Sequence, residues 1–137
     1  MALDPKRSYA ACDEEATRVG ALMNSGKLRI YQSSGTPPTN ADDAINGTLL
    51  AELTMGATAF GSPTNGVVTA NAITADSSAD NTGTADYFRV WNSAGTTCYL
   101  QGTAGIGASY DLNMNNNSIQ SGANVSVTAF TYTAVRE

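Results

Sequence analysis

The stretch KLRIYQ, residues 27–32, alternates apolar and polar side chains, and this alternation decides the fold class. Leu28 and Ile30 fall on one face and the charged residues beside them on the other, as in a strand with one buried face. Alternating or short apolar runs recur along the chain between turn signals. We therefore predict a mainly β protein, an antiparallel β-sandwich or jelly-roll-like domain. The further predicted strands cover residues 48–55, 67–73, 84–91, 96–101, 110–114 and 123–135.

The inward phase of these strands predicts the hydrophobic core. It comprises Leu28, Ile30, Leu53, Phe88, Val90, Leu100, Leu112, Val127 and Phe130. Residues 102–107 contain three glycines, which predicts a flexible loop there.

The first 25 residues differ from the rest and predict a helical segment ahead of a β-sandwich domain at residues 26–137. Residues 8–23 lack proline, and Cys12, Ala16, Val19 and Met23 follow helical spacing along one face. Gly26 is positioned to end this helix. Because the apolar face is thin, we expect the helix to need a partner surface.

The charge of the chain is acidic and unevenly distributed. Seven cations face twelve acids among 137 residues, for a net charge of −5. This balance argues against nonspecific nucleic-acid binding, which depends on Lys and Arg neutralising phosphates. The first 29 residues hold five of the seven cations. No apolar run approaches membrane-spanning length and no charged-then-apolar leader is present. We therefore expect no membrane partner, synthesis in a cytoplasm, and free thiols at Cys12 and Cys98.

Candidate chemistry is sparse, because the chain has no histidine. Ser-His-Asp and Cys-His catalysis are thereby excluded, together with the commonest metal ligand. The loop at residues 76–81, with Asp86, is the best calcium candidate, but it lacks the spacing of an EF-hand. A carboxylate pair for glycoside hydrolysis is conceivable from Glu52, Asp86 and Asp111, although outward strand acids are usually only solvated. We expect no catalytic residues, no metal and no cofactor.

Several segments resemble a family of small virion proteins found in tailed-bacteriophage and prophage genomes. The resemblance covers nearly the whole chain in family order. It is carried by GKLRIY (26–31), LLAEL (49–53), Phe60, VVTANAI (67–73), GTADYFRV (83–90), NSAG (92–95), DLNM (111–114) and VSVTAF (125–130). The resemblance implies a non-enzymatic structural role as a capsid decoration or cement protein. The implied partners are the major capsid protein, further copies of this chain on the particle, or both. The implied location is the capsid surface, after synthesis in the host cytoplasm. A tail or fibre-tip receptor-binding module is the alternative.

The uneven charge and the predicted helix together suggest where a partner would bind. We expect residues 1–25 to supply much of the assembly contact, with the acidic sandwich facing outward. The expected contact residues are Lys6, Arg7, Arg18, Val19, Leu22 and Met23. The competing hypothesis is that the helix caps one open end of its own sandwich.

Overall fold

The computed structural model describes residues 5–107 and 109–135 and confirms a mainly β fold. One helix, α1 (Tyr9–Leu22), precedes the strands. They are β1 (Lys27–Gln32), β2 (Thr48–Thr54), β3 (Val67–Thr69), β4 (Gly83–Thr84), β5 (Tyr87–Trp91), β6 (Cys98–Gly105), β7 (Leu112–Met114), β8 (Ser118–Ile119) and β9 (Val127–Thr133).

Seven of these strands form one sheet in the order β2-β1-β5-β6-β7-β9-β3, while β4 and β8 form a small second sheet. Most neighbours are antiparallel, but β6 and β7 are parallel, with Ala104 opposite Leu112. The predicted antiparallel pairing is therefore confirmed for every neighbouring pair in this sheet except β6 and β7. Alternation within a strand shows which face is buried but does not encode the direction of its neighbour.

The large sheet folds over on itself at β6. The first part of β6 pairs with β5, and its last two residues pair with β7. In a flat sheet β5 and β9 would lie three strand spacings apart, about 14 Å. The ring centroids of Phe88 on β5 and Phe130 on β9 are instead 5.2 Å apart and meet edge to face. The two halves therefore face each other in a sandwich-like arrangement around these aromatic rings.

Seven of the nine predicted core residues are fully buried; Leu100 and Val127 are partly buried and pack against the others. The alternation in β1 is confirmed for residues 27–30, where Leu28 and Ile30 are buried and Lys27 and Arg29 are half-buried. It fails at Tyr31, which is also buried, because the pairing with β2 shifts register between Ile30 and Tyr31. At these nine positions the sequence therefore predicted correctly which face of each strand points into the core.

Both outer strands of the sheet are covered by neighbouring chain. Thr54 of β2 exchanges two backbone hydrogen bonds with Thr74, at 3.2 and 2.8 Å. On β3, Val67 exchanges two with Thr64, at 2.9 and 3.0 Å, and the Gly61 amide donates to the Thr69 carbonyl at 2.9 Å. Open strand edges invite pairing with other chains, and this coverage removes much of that risk.

Helix α1 packs on its own β body. The Ser8 hydroxyl caps the helix by accepting from the Ala11 amide at 3.1 Å. Cys12 and Ala16 are buried on the predicted apolar face, and Gly20 is buried against the Phe60 ring. The Asp13 carboxylate also accepts from the Gly66 amide at 2.6 Å. The helix and the sheet thus share one core.

The chain leaves the helix through Ser25, which has a φ of 55° in the left-handed region. Gly26 was predicted to end the helix, but it has a different role. A Cβ at this position would lie 2.3 Å from the Trp91 carbonyl oxygen. Gly26 therefore lets the start of β1 approach β5 closely.

The prediction of a flexible loop over residues 102–107 is wrong for its first part, because β6 continues to Gly105. Gly102 and Gly105 each lie against a side chain from the following segment, where a Cβ would clash. These glycines serve close packing within a strand.

The two cysteines are free, Cys12 buried and Cys98 half-buried. Burial raises the pKa of the Cys98 thiol, and a hydrogen bond with the Leu100 backbone acts in the opposite direction to a smaller extent. We expect iodoacetamide at neutral pH to modify the native protein slowly and only at Cys98, because the thiolate is the nucleophile. The rate at which iodoacetamide modifies Cys98 should keep rising with pH above about 8.5, which is the ordinary pKa of a cysteine thiol. Intact mass after unfolding should show two adducts; no adduct and a mass about 2 Da lower would indicate a disulfide instead.

Candidate functional site

In the acidic loop predicted as a calcium candidate, the Asp76 carboxylate accepts hydrogen bonds from the backbone. The two Asp76 oxygens accept from the amides of Glu52 and Ser78, both at 2.9 Å. Asp86 accepts from the amide and hydroxyl of Ser33. Within residues 5–107 and 109–135 no three His, Cys, Asp or Glu side chains are grouped to hold a metal ion.

The three candidate catalytic carboxylates each have a separate partner. Glu52 accepts from the Arg29 guanidinium at 2.8 Å. Asp111 accepts from the amide and hydroxyl of Thr103, at 2.9 and 3.1 Å, and Asp86 binds Ser33 as above. These contacts position strands and loops.

The predicted partner-binding residues of the N-terminal segment differ in their availability. Lys6 and Arg18 are exposed, while Val19 and Leu22 are half-buried. Arg7 is half-buried; it forms an ion pair with Glu15 and donates to the Val135 carbonyl. Met23 is wholly buried in the core of its own chain. The prediction that Met23 contacts a partner is therefore wrong, because the residue faces inward at the helix C-terminus.

Three exposed apolar side chains lie on the segments that meet where α1, β3 and β9 join. We call this set the terminal patch: Tyr9, Val67 and Val135, which are 45%, 37% and 54% exposed. Gly66 holds the junction together, since its amide donates to Asp13, one helical turn after Tyr9, and its carbonyl accepts from the Ala134 amide at 2.9 Å. Val67 and Val135 directly follow Gly66 and Ala134. Sequence patterns missed this patch because its members lie far apart in the chain.

A buried arginine fixes the long loop between β1 and β2. Arg89 is almost fully buried and donates to the Gln101 side chain and the Asp43 carbonyl at 2.8 Å, and to the Asn40 carbonyl at 3.2 Å. A buried charge is tolerated when its donors are satisfied in this way. Arg89 therefore orders this loop over the outer face of the sheet.

A cleft of about 360 Å³ lies between β6 and β9. β7 pairs with β6 only at Ala104 and Gly105, so it does not fill the gap between the first part of β6 and the last part of β9. Phe88, Leu100 and Phe130 line the cleft, together with Tyr110, Asp111 and residues 131–133. Its volume falls within the range of small-molecule sites.

Comparison with protein-family models, with curated proteins and with solved structures gives no match for this chain. Among the described residues, no helix is long and apolar enough to cross a membrane. A functional assignment therefore depends on the residues themselves.

Proposed function

We propose that this protein is a non-enzymatic virion structural protein of a tailed phage, a capsid decoration or cement protein that binds the major capsid protein lattice and stabilises the head. The observation that carries the proposal is the terminal patch. Its three exposed apolar side chains lie on the chain segments that hydrogen bonds to Gly66 bring together, in a chain with a net charge of −5. Grouped apolar exposure of this kind is typical of a contact surface between proteins.

The arrangement suits a repetitive lattice. A capsid presents many equivalent sites, and a bound protein that also touches its neighbours gains avidity from modest individual contacts. The covered strand edges favour contact through side chains over strand addition. The same surface lets copies of this chain meet on the particle.

The charge distribution gives the proposed orientation. Lys6 lies three residues before the first residue of α1, and Arg18 is exposed further along the helix. Acidic groups on the shell would pair with these cations and set the register of docking more than its strength. Val19 and Leu22 extend the proposed contact along the helix. The acidic remainder of the domain then faces solvent.

Charge substitutions in the terminal patch test this proposal. We expect Val67→Asp and Val135→Asp each to reduce binding to particles that lack the protein by at least about tenfold, because a desolvated carboxylate opposes association. Co-sedimentation with purified particles measures the bound fraction. The matched control is Ile45→Asp, which changes a similarly exposed apolar residue on the β1–β2 loop and should bind normally.

The measurement is interpretable only if the variants fold, which circular dichroism and thermal unfolding establish. Folded Val67→Asp and Val135→Asp proteins that bind particles like the unmodified protein would contradict the terminal patch as the anchor. Loss of binding in Ile45→Asp alone would place the contact on the loop instead.

A further inference from the structure

The cleft between β6 and β9 contains an aromatic ring, Tyr110, with one face packed against the backbone. A Cβ built on Gly105 would lie 2.6–2.7 Å from three consecutive atoms of the Tyr110 ring. Nearly equal distances to three adjacent ring atoms place Gly105 against the face of the ring, not its edge. The backbone therefore supports one face of Tyr110, which remains 41% exposed and lines the cleft.

A carboxylate lies beside this ring and is also held rigidly. One oxygen of Asp111 accepts from the Thr103 amide at 2.9 Å and from its hydroxyl at 3.1 Å, while the Asp111 amide donates back to that hydroxyl at 3.1 Å. Gly102 permits this approach, because a Cβ there would lie 2.8 Å from the same oxygen. The other oxygen accepts no hydrogen bond from the described residues, and because Asp111 lines the cleft this oxygen can accept one from a ligand.

The remaining walls combine an apolar floor with hydroxyl groups. Phe88 and Phe130 lie at the base, and Thr131, Tyr132 and Thr133 border the cleft along β9. The Gln101 side chain is committed elsewhere, since it accepts from Arg89 at 2.8 Å and donates to the Pro38 carbonyl at 2.6 Å. The polar groups available to a ligand therefore lie around the Tyr110 ring, and the floor of the cleft is apolar.

We propose that this cleft is a saccharide-binding site that takes a pyranose ring against Tyr110. The C–H face of a pyranose is apolar and carries partial positive charge, which complements the negative face of an aromatic ring. Adjacent sugar hydroxyls donate to the free oxygen of Asp111 in charge-assisted hydrogen bonds. A volume of about 360 Å³ accommodates one or two sugar units.

Titration of the isolated 137-residue protein with individual saccharides tests the proposal. The probes are glucose, galactose, N-acetylglucosamine and their β-linked disaccharides, each raised to about 20 mM and followed by saturation-transfer NMR and calorimetry. We expect at least one probe to bind with a Kd between about 0.1 and 10 mM, as suits a small open site. Co-sedimentation with an insoluble polysaccharide shows whether the site binds a sugar at the end of a surface-attached chain as well as a free sugar.

Four variants locate the bound sugar. Tyr110→Ala and Asp111→Asn should each weaken binding at least about tenfold, whereas Tyr110→Phe, which keeps the ring, should lose less than about threefold. Gly105→Ala should weaken binding like Tyr110→Ala, because it displaces the ring without removing it. Asp80→Asn, at an exposed acid on a different loop, is the matched control and should bind normally.

Two results would overturn the saccharide site. One is the absence of binding by every probe at the highest concentration. If NMR resonances of the cleft respond to an extended peptide instead, the gap between β6 and β9 is a site for strand addition. The other is binding that survives both Tyr110→Ala and Asp111→Asn. Neither result bears on the proposed capsid contact, because the terminal patch is formed by other residues and is tested on particles.

Discussion

Replacing Phe88 with alanine is expected to lower the free energy of unfolding by about 3–5 kcal/mol. The ring is 1% exposed, it meets Phe130 edge to face at 5.2 Å, and Gly102 packs directly against it. Its removal leaves a cavity between the two halves of the folded sheet, where backbone hydrogen bonds restrict collapse. Urea denaturation followed by tryptophan fluorescence and circular dichroism measures the change.

The control for this variant is Ile45→Ala, an exposed apolar residue whose loss should cost under about 0.5 kcal/mol. A cost below about 1 kcal/mol for Phe88→Ala would mean that the two sheet halves do not pack through this ring.

A protein truncated to begin at Ser25 is expected to lose cooperative folding. The deletion removes Cys12, Ala16 and Met23, all wholly buried in the shared core, and exposes the sheet surface beneath them. It also removes the Asp13 carboxylate that accepts from Gly66 and the Asn24 side chain that accepts from the Ala59 amide at 2.8 Å. Circular dichroism and thermal unfolding should show no sharp transition.

Two point variants separate the packing of the helix from the length of the chain. Ala16→Asp places a carboxylate in the core and should be severely destabilising, whereas Thr17→Asp, on the exposed side of the same helix, should be tolerated. A truncated protein that unfolds cooperatively at normal temperature would support an independent N-terminal segment, as the division at residue 25 predicts.

Local patterns in the sequence predicted the features that depend on a single segment. The alternation of Leu28 and Ile30 identified β1, and the helical spacing of Cys12 and Ala16 identified the buried face of α1. Strand β8 was missed, and β4 was not separated from the predicted strand at residues 84–91, because two residues carry no periodicity. The parallel pairing of β6 with β7 was missed because strand direction depends on the path of the intervening chain.

The cleft and the terminal patch illustrate why functional surfaces are harder to predict. Gly102 and Gly105 resemble loop glycines until Asp111 and Tyr110 are seen to pack against them. A glycine that admits a neighbouring side chain and one that supplies flexibility have the same sequence signature. The residues of the terminal patch likewise lie far apart in the sequence, and hydrogen bonds of Gly66 with Asp13 and Ala134 join the segments that carry them.

The copy number of this protein on the particle tests the proposed function most directly. Quantitative mass spectrometry of gradient-purified particles would give its ratio to the major capsid protein. The capsid assignment predicts a ratio within a few-fold of one, on the order of hundreds of copies per particle, because each lattice site is equivalent. A handful of copies per particle, or none, would contradict it, and a handful would favour a tail or fibre-tip location.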